Sequence, residues 1–330
     1  MDKGRILVTG ESVADRFLAQ LKDAGFEISN PTGSFPPAKL DEEALTKELK
    51  DCVAYLVGGD EWASKEAMSA AKKLKVIAFL GVGYQSFVDA EAAQELGIPV
   101  TNTPGTLANS VAEFTIGHLI NARRRIGDYA ESFKTGSDLP QEKQSDIFGH
   151  KIGIIGLGSI GTRIAEILTG GFNAHVSYYS RTRKADLEKS LGLTYMSNSE
   201  LVSKTESLII MTPHTDETTG MVDDELINAR PQDLPGLHLI NTAKAEVADP
   251  GALLRGLESG RLESVAMDGF YHDANSDTDK LRSHPRVTVT PHIASLTHDA
   301  RDAMSQMSVD SILRVLSGEN DPNTVNDVRI

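Results

Sequence analysis

The chain has 330 residues, a formal net charge of −14 at pH 7 and an isoelectric point near 5.1. This length accommodates two domains of ordinary size. The acidic balance argues against binding to nucleic acids or to anionic membrane surfaces, which attract basic proteins. No apolar run approaches the roughly 18 residues that span a bilayer, and the first residues resemble a strand rather than a secretory signal. We therefore expect a soluble, cytoplasmic protein, in which the single Cys52 excludes an intrachain disulfide.

The first hundred residues alternate short apolar segments with amphipathic ones. This pattern predicts strands at 5–9, 27–29, 53–57, 76–79 and 99–101, separated by helices at 12–23, 65–73 and 88–96. The segment 30–39 contains three prolines and is interpreted as a surface loop. Strands that alternate with helices in this way are typical of a doubly wound parallel sheet.

A second alternating set follows a long predicted helix at 108–131. Its strands are predicted near 152–155, 176–179, 208–211, 238–241, 264–268 and 287–289, and a last amphipathic helix includes 311–316. The basic triplet Arg123-Arg124-Arg125 is interpreted as the solvated end of a helix, where cations are favoured. The sequence thus predicts two α/β domains.

The most informative motif is the glycine triplet Gly156-x-Gly158-x-x-Gly161. It follows the apolar run 151–155 and precedes the helix-like stretch 162–168. Strand, tight turn and helix in this order form the context in which the motif predicts dinucleotide binding. The glycines permit the turn, the approach of a pyrophosphate and close packing of helix on strand, and the helix N-terminus favours the phosphate charge.

The end of the next predicted strand indicates which dinucleotide binds. About 20 residues past the last glycine, where an acidic residue would accept the ribose hydroxyls of NAD, the chain has Ser180, followed by Arg181-Thr182-Arg183-Lys184. A carboxylate would repel a 2′-phosphate, whereas hydroxyl and guanidinium groups bind one. We therefore predict NADPH (or NADP), with NAD less favoured; the alternative is an ordinary solvated basic loop.

Several fragments together resemble the D-isomer-specific 2-hydroxyacid dehydrogenases. They are, in chain order, 81–84, 102–105, 111–113, 153–161, 212–218, 241–244, Asp268 and 290–293. The segment 178–183 is most similar to the NADP-using glyoxylate and hydroxypyruvate reductases. The resemblance implies a Rossmann-type cofactor domain at 102–292 and a flavodoxin-like substrate domain at 1–101 plus 293–330. It also implies an active site in the cleft and a homodimer joined mainly through the cofactor domains.

The resemblance assigns His292, in Thr290-Pro291-His292-Ile293, as the proton donor to the substrate oxygen. An unperturbed imidazole pKa of about 6.5 suits an acid near neutrality. The family supports this histidine with a glutamate, and the corresponding position here is Asp273, one methylene shorter. Asp277 and Asp279 are the alternative partners.

Lys244 is the larger departure from the family pattern. The family has an arginine after Asn-Thr-Ala, which clamps the substrate carboxylate and carbonyl oxygen with a planar fork, whereas lysine supplies a point charge. Either Lys244 performs that role less tightly, or the substrate differs, or catalysis has been lost. Backbone N–H groups near Val82 and Gly83 are expected to bind the rest of the substrate.

The predicted cofactor contacts lie in loops that follow strands. They are Gly156, Gly158, Ser159, Ile160, Gly161, Ser180, Arg181, Thr182, Thr212, Pro213, His214, Thr218, Thr242, Ala243, Asp268 and Ala294. No histidine pair has convincing metal-ligand spacing, so no metal is predicted.

Three hypotheses for function follow. The leading one is an NADPH-dependent reductase that converts a small 2-oxo acid to the D-2-hydroxy acid. The second keeps hydride transfer but changes the acceptor to a phosphonate-bearing or imine compound, because of Lys244 and Asp273. The third is a dinucleotide-sensing interaction protein without turnover.

Overall fold

The computed structural model describes residues 3–10, 13–32, 39–139, 141, 144–272 and 275–330. The chain forms two compact units, one comprising Met1–Leu107 with Thr297–Ile330 and the other Ala108–Leu296. Asp273, the predicted partner of His292, lies outside the described residues, and so does most of the predicted loop at 30–39.

The strands and helices have the following bounds. The strands are β1 (Arg5–Val8), β2 (Glu27–Ser29), β3 (Cys52–Val57), β4 (Val76–Phe79), β5 (Val100–Thr101), β6 (Lys151–Ile155), β7 (His175–Tyr179), β8 (Thr194–Tyr195), β9 (Ser207–Ile210), β10 (Leu237–Asn241), β11 (Leu262–Asp268) and β12 (Val287–Thr290). The helices are α1 (Asp15–Asp23), α2 (Glu42–Leu49), α3 (Lys65–Ala70), α4 (Ala90–Glu95), α5 (Ala108–Arg124), α6 (Ile126–Thr135), α7 (Ser159–Phe172), α8 (Ala185–Leu191), α9 (Asn198–Lys204), α10 (Asp224–Asn228), α11 (Pro250–Glu258), α12 (Ser276–Ser283) and α13 (His298–Leu316).

The first unit contains a five-stranded parallel sheet in the order β2-β1-β3-β4-β5. This is the flavodoxin-like strand order. Successive residues of a strand point to opposite faces, and Ile6 accordingly packs in a core with α1 and α13, while Leu7 packs in a second core with α2, α3 and α4. Helices therefore cover both faces of this sheet.

The second unit contains a seven-stranded parallel sheet in the order β12-β11-β10-β9-β6-β7-β8. The first strand of this sheet in the chain is β6. Strands β7 and β8 follow on one side of it, and β9 to β12 follow on the other side. Adjacent β6 and β9 thus form the topological switch point, where loops diverge and ligands bind in sheets of this kind. The two sheets confirm the predicted α/β fold class.

Two predictions near the basic triplet are wrong. The long helix predicted at 108–131 is interrupted at Arg125, whose φ of 50° lies in the left-handed region, so that α5 ends and α6 begins there. Arg123 is not solvated: its side chain is 2% exposed and donates to Ser207 Oγ at 3.1 Å. It also forms an ion pair with Glu206 at 3.3 Å. Glu206 is far from Arg123 in the chain but adjacent in space, and its carboxylate compensates the buried charge.

Candidate active site

The three glycines of the β6–α7 turn have three different structural roles. Gly156 has a φ of 102°, and a Cβ there would lie 2.4 Å from the carbonyl oxygen of Met211. A Cβ on Gly161 would lie 2.1 Å from the Gly156 carbonyl oxygen, so this glycine permits close packing of α7 on the turn. A Cβ on Gly158 would have no atom of the described chain within 4 Å. Only Gly158 therefore faces open space, where a ligand can approach.

Gly158 is also the N-cap of α7. It has no side chain to accept hydrogen bonds from the N–H groups of the first turn, which leaves these donors available to an anion. The residues present thus fit the pyrophosphate of a dinucleotide.

An open cleft lies at the carboxyl ends of β6, β7 and β9. Its lining includes half of the predicted cofactor set, namely Gly156, Gly158, Ser180, Arg181, Thr182, Thr212, Pro213 and Thr218. It also includes Lys184, Asn198, Thr215, Glu217 and Met221, which were not among the predicted cofactor contacts. The remaining predicted contacts lie outside this lining: Ser159, Ile160, Gly161, His214, Thr242, Ala243, Asp268 and Ala294.

The two arginines of the basic loop after β7 differ in their contacts. Arg183 donates to both carboxylate oxygens of Glu188 at 2.8 Å and lies 5.6 Å from the centre of the Tyr195 ring. This ion pair, reinforced by the Tyr178 hydroxyl, lowers the pKa of Glu188 to about 2. Arg181 is 83% exposed, lines the cleft and lies 3.9 Å from a Glu217 oxygen. Arg181 is thus the guanidinium available to a ligand.

The loop after β9 is held by its own hydroxyl groups. Thr218 Oγ1 donates to the carbonyl oxygen of Pro213 at 2.7 Å and accepts from the N–H of Thr215 at 2.8 Å. His214 Nε2 lies 2.9 Å from Thr219 Oγ1. These local bonds fix the wall of the cleft opposite the basic loop.

At the ends of β11 and β12, a buried carboxylate organises the segment that carries His292. Asp268 is 3% exposed and is paired in register with Thr290. Its Oδ1 accepts from the Thr290 hydroxyl at 2.6 Å and from the N–H of Ile293 at 2.9 Å, and its Oδ2 accepts from the N–H of Ala294 at 2.8 Å. In this structure the Asp268 carboxylate is thus used to hold the 290–294 segment.

His292 itself is exposed and conformationally constrained. Its φ of 57° is in the left-handed region, which costs a non-glycine residue roughly 1–2 kcal/mol. Its N–H donates to the Thr290 carbonyl oxygen at 2.9 Å. A Cβ on the neighbouring Gly269 would lie 3.0 Å from Nδ1 of the ring, so this glycine leaves room for the imidazole.

Lys244 follows β10 in a turn built by the buried Asn241. The Asn241 amide donates to the Lys244 carbonyl oxygen at 3.0 Å and accepts from the N–H of Ala243 at 3.1 Å. Thr242 is anchored to Thr115 by a hydroxyl contact of 2.6 Å. The Lys244 side chain is exposed. Because β10, β11 and β12 are adjacent and parallel, the segments with Lys244, Asp268 and His292 follow the same edge of the sheet.

The other predicted site residues are placed as follows. Val82 and Gly83 follow β4 in the first unit; Val82 is 43% exposed, and its carbonyl oxygen accepts from the Asn102 amide at 3.0 Å. Asp277 and Asp279 lie in the first turn of α12.

Neither a membrane-spanning helix nor a metal site is present in the described part of the chain. None of its helices has the length and apolar character needed to cross a membrane. No group of three or more His, Cys, Asp or Glu side chains among the same residues is arranged to hold a metal ion.

Comparison with known proteins shows the family. The model of the NAD-binding domain of D-isomer specific 2-hydroxyacid dehydrogenases matches residues 116–294. The chain is 30% identical to the glyoxylate reductase of Korarchaeum cryptofilum over 98% of this chain and 96% of the relative. It is 31% identical to the glyoxylate reductase of Thermofilum pendens over 99% and 95% of the two chains.

Solved structures agree with this relationship. The TT0316 protein from Thermus thermophilus has 30% identity and a TM-score of 0.83, covering 97% of this chain and 99% of that one. The NADPH-dependent glyoxylate/hydroxypyruvate reductase of Sinorhizobium meliloti, solved with NADP and malonate, has 28% identity and a TM-score of 0.78, covering 98% and 97%.

The chain belongs to the D-isomer specific 2-hydroxyacid dehydrogenases. It is accordingly an oxidoreductase that acts on CH–OH groups and uses a nicotinamide dinucleotide. The predictions of the family and of an enzyme are thereby confirmed.

Proposed function

We propose that the protein is an NADPH-dependent reductase of a small 2-oxo acid of the glyoxylate class, forming the D-2-hydroxy acid. The observation that carries the proposal is the arrangement around Asp268: a buried carboxylate holds a constrained loop that exposes His292 at the same sheet edge as Lys244. The glyoxylate reductases that match almost the whole chain support the substrate class.

The preference for NADPH rests on the cleft at the end of β7. Ser180 replaces an acidic residue there, and the exposed Arg181 lines the cleft. A guanidinium forms charge-assisted bonds to a phosphate, which NADPH has at the ribose 2′ position and NADH lacks. When bound, the reduced nicotinamide supplies the hydride.

The protein side chains supply the rest of the reaction. His292 donates the proton to the carbonyl oxygen of the substrate, in the manner of a general acid. The Lys244 ammonium stabilises the negative charge that develops on this oxygen and attracts the substrate carboxylate. The family resemblance assigns to Asp273, which lies outside the described residues, the role of orienting His292, and to backbone N–H groups near Val82 and Gly83 the role of binding the carboxylate.

The test is turnover with purified protein. Oxidation of NADPH and of NADH is followed by absorbance with glyoxylate, hydroxypyruvate, pyruvate and phenylpyruvate. We expect turnover with at least one acid, a lower KM for NADPH than for NADH, and loss of kcat in His292→Gln. No oxidation across a broad panel of 2-oxo acids, or full activity of His292→Gln, would refute the proposal.

We also propose that the enzyme is a homodimer formed through the seven-stranded unit. Every residue of α6 is half-buried or exposed. The exposed apolar side chains include Phe133 at 83% and Ile126 at 54%, and Phe148, beyond α6, at 66%. Such apolar exposure is typical of an interaction surface. Light scattering should give the dimer mass for the wild type and a lower mass for Phe133→Asp; a monomeric wild type would contradict this assembly.

A further inference from the structure

His118, on α5, is a buried histidine in contact with the loop that carries His292. The residue is 6% exposed, and its ring packs edge-on against Phe114 with 4.8 Å between ring centres. Its Nε2 lies 3.1 Å from the hydroxyl oxygen of Thr290. The same hydroxyl oxygen lies 2.6 Å from Asp268 Oδ1. The three side chains therefore form one continuous hydrogen-bonded chain.

The direction of each bond follows from the donors available. Asp268 accepts from backbone N–H groups through both of its oxygens, so the Thr290 hydroxyl donates its single proton to Oδ1. The Thr290 hydroxyl oxygen is then the acceptor in its contact with His118, and His118 donates from Nε2–H. Burial lowers the pKa of His118, against the opposing effect of the Asp268 charge. The ring is therefore neutral at pH 7, with its proton on Nε2.

His118 also decides where the Thr290 hydroxyl points. A second acceptor, the carbonyl oxygen of Met267, lies 3.3 Å from this hydroxyl. When His118 Nε2–H donates to the Thr290 oxygen, it favours the orientation in which the hydroxyl proton of Thr290 faces Asp268. Without His118, the hydroxyl is able to turn toward Met267, and Asp268 loses one of its three donors.

We propose that His118 is a positioning residue for His292, acting through Thr290 and Asp268. The inference rests on the proposed role of His292 as proton donor. Asp268 holds the N–H groups of the two residues after His292, and His292 keeps a φ of 57° only while its surroundings maintain it. A weaker hold on Asp268 lets this strained loop relax and moves the imidazole away from the reacting oxygen. Geometry errors of this kind reduce the rate of the chemical step.

The test uses variants that differ in the hydrogen bond and little else. His118→Leu keeps an apolar group of similar bulk and removes the donor, while His118→Gln places an amide N–H near the position of Nε2. Thr290→Val and Thr290→Ser form the second pair, in which the hydroxyl is removed or kept. His238→Gln is the matched control, because His238 is likewise a histidine bonded to a hydroxyl, Ser264 Oγ at 2.8 Å, but lies near the start of β10, at the opposite ends of the strands.

We expect His118→Leu to lower kcat for glyoxylate reduction about tenfold, the equivalent of one hydrogen bond of about 1.4 kcal/mol. The KM for NADPH should stay within about twofold, because the cofactor cleft is untouched. His118→Gln should recover most of the rate, and His238→Gln should match the wild type. In Thr290→Val, adding His118→Leu should produce little further loss, because both changes break the same chain.

The outcomes separate this inference from the proposed function. Full activity of His292→Gln refutes the proposed function. Loss of activity in His292→Gln with wild-type kcat in His118→Leu overturns the positioning role, and equal losses in His118→Leu and His118→Gln do so as well. If His118→Leu does not fold, as judged by its thermal transition, the Thr290 pair decides: equal kcat in Thr290→Ser and Thr290→Val overturns the role.

Discussion

The cofactor preference can be tested by exchanging one arginine while leaving its neighbour as a control. Arg181 and Arg183 are two residues apart in the loop after β7, but Arg181 lines the dinucleotide cleft whereas Arg183 is bonded to Glu188 through two contacts of 2.8 Å. If Arg181 binds the 2′-phosphate, Arg181→Ala should weaken NADPH binding and leave NADH binding unchanged. Arg183→Ala should affect neither cofactor.

The expected size follows from the exposure of Arg181. A charge-assisted hydrogen bond contributes about 1.5–3 kcal/mol, and at an 83% exposed side chain solvent screening favours the lower end. Since about 1.4 kcal/mol corresponds to a factor of ten, the KM for NADPH should rise about tenfold. The effect should shrink as salt is added, because the Debye length falls from roughly 10 Å at 0.1 M to roughly 3 Å at 1 M.

The assay is the steady-state KM for each cofactor at saturating glyoxylate, measured at low and high salt. A ratio of KM values that is the same in Arg181→Ala and in the wild type would refute the assignment of Arg181. An equal rise in Arg183→Ala would show that the whole loop, rather than one guanidinium, determines the preference. Preference of the wild type for NADH would refute the cofactor proposal itself.

Three further predictions concern other charges in the seven-stranded unit. Glu217→Gln should lower the KM for NADPH about threefold at low salt and leave that for NADH unchanged, because it removes a carboxylate 3.9 Å from Arg181; an unchanged KM for NADPH would count against this placement of the phosphate. Lys244→Arg should raise kcat/KM on ordinary 2-oxo acids several-fold, because a planar fork binds a carboxylate better than a point charge; failure to do so would favour the phosphonate or imine acceptor. Burial lowers the folded-state pKa of His238 to about 4, so its contribution to the free energy of unfolding is complete above about pH 6.5 and is lost as the pH falls toward 4. Denaturant titrations of wild type and His238→Gln should therefore diverge in this window, by at most about 3 kcal/mol, and parallel curves would show that His238 is not desolvated.

The elements that could be predicted from the sequence are those specified by neighbouring residues in the chain. The Gly156 turn is an example, because a backbone with φ of 102° and a carbonyl oxygen 2.4 Å from any Cβ leaves no residue but glycine. The buried strands β3, β4 and β6 were also found, since continuous apolar runs between turns specify them. The helix α2 was missed although a local signal existed: Asp41 caps it by accepting from the N–H of Ala44. The two-residue strand β8 has no pattern of its own and depends on pairing with β7.

The parts that the sequence did not reveal depend on contacts between distant residues. Arg123 was interpreted as part of a solvated helix end, where cations are favoured, yet its partner Glu206 is 83 residues away in the chain. Asp268 was predicted to contact the cofactor, and this remains a prediction; the sequence did not show that its carboxylate also bonds to residues 22 to 26 positions later. No periodicity or motif encodes such pairs, since β11 and β12 come into register only in the assembled sheet.

This difference between local and long-range contacts also separates the two parts of the proposed site. The cofactor cleft is built mainly by local contacts, whereas the position of His292 depends on contacts between residues far apart in the chain. The groups that line the dinucleotide cleft lie in loops whose backbone is set by local glycines and hydroxyls, so exchanging a side chain such as Arg181 should change affinity without changing shape. The imidazole of His292, in contrast, depends on a buried carboxylate, a hydroxyl and a histidine from three separate elements, β11, β12 and α5. Changes there should alter the rate of proton delivery without altering cofactor binding. A variant of the Asp268 chain that mainly raised the KM for NADPH would therefore contradict the separation of cofactor binding from proton transfer on which both proposals depend.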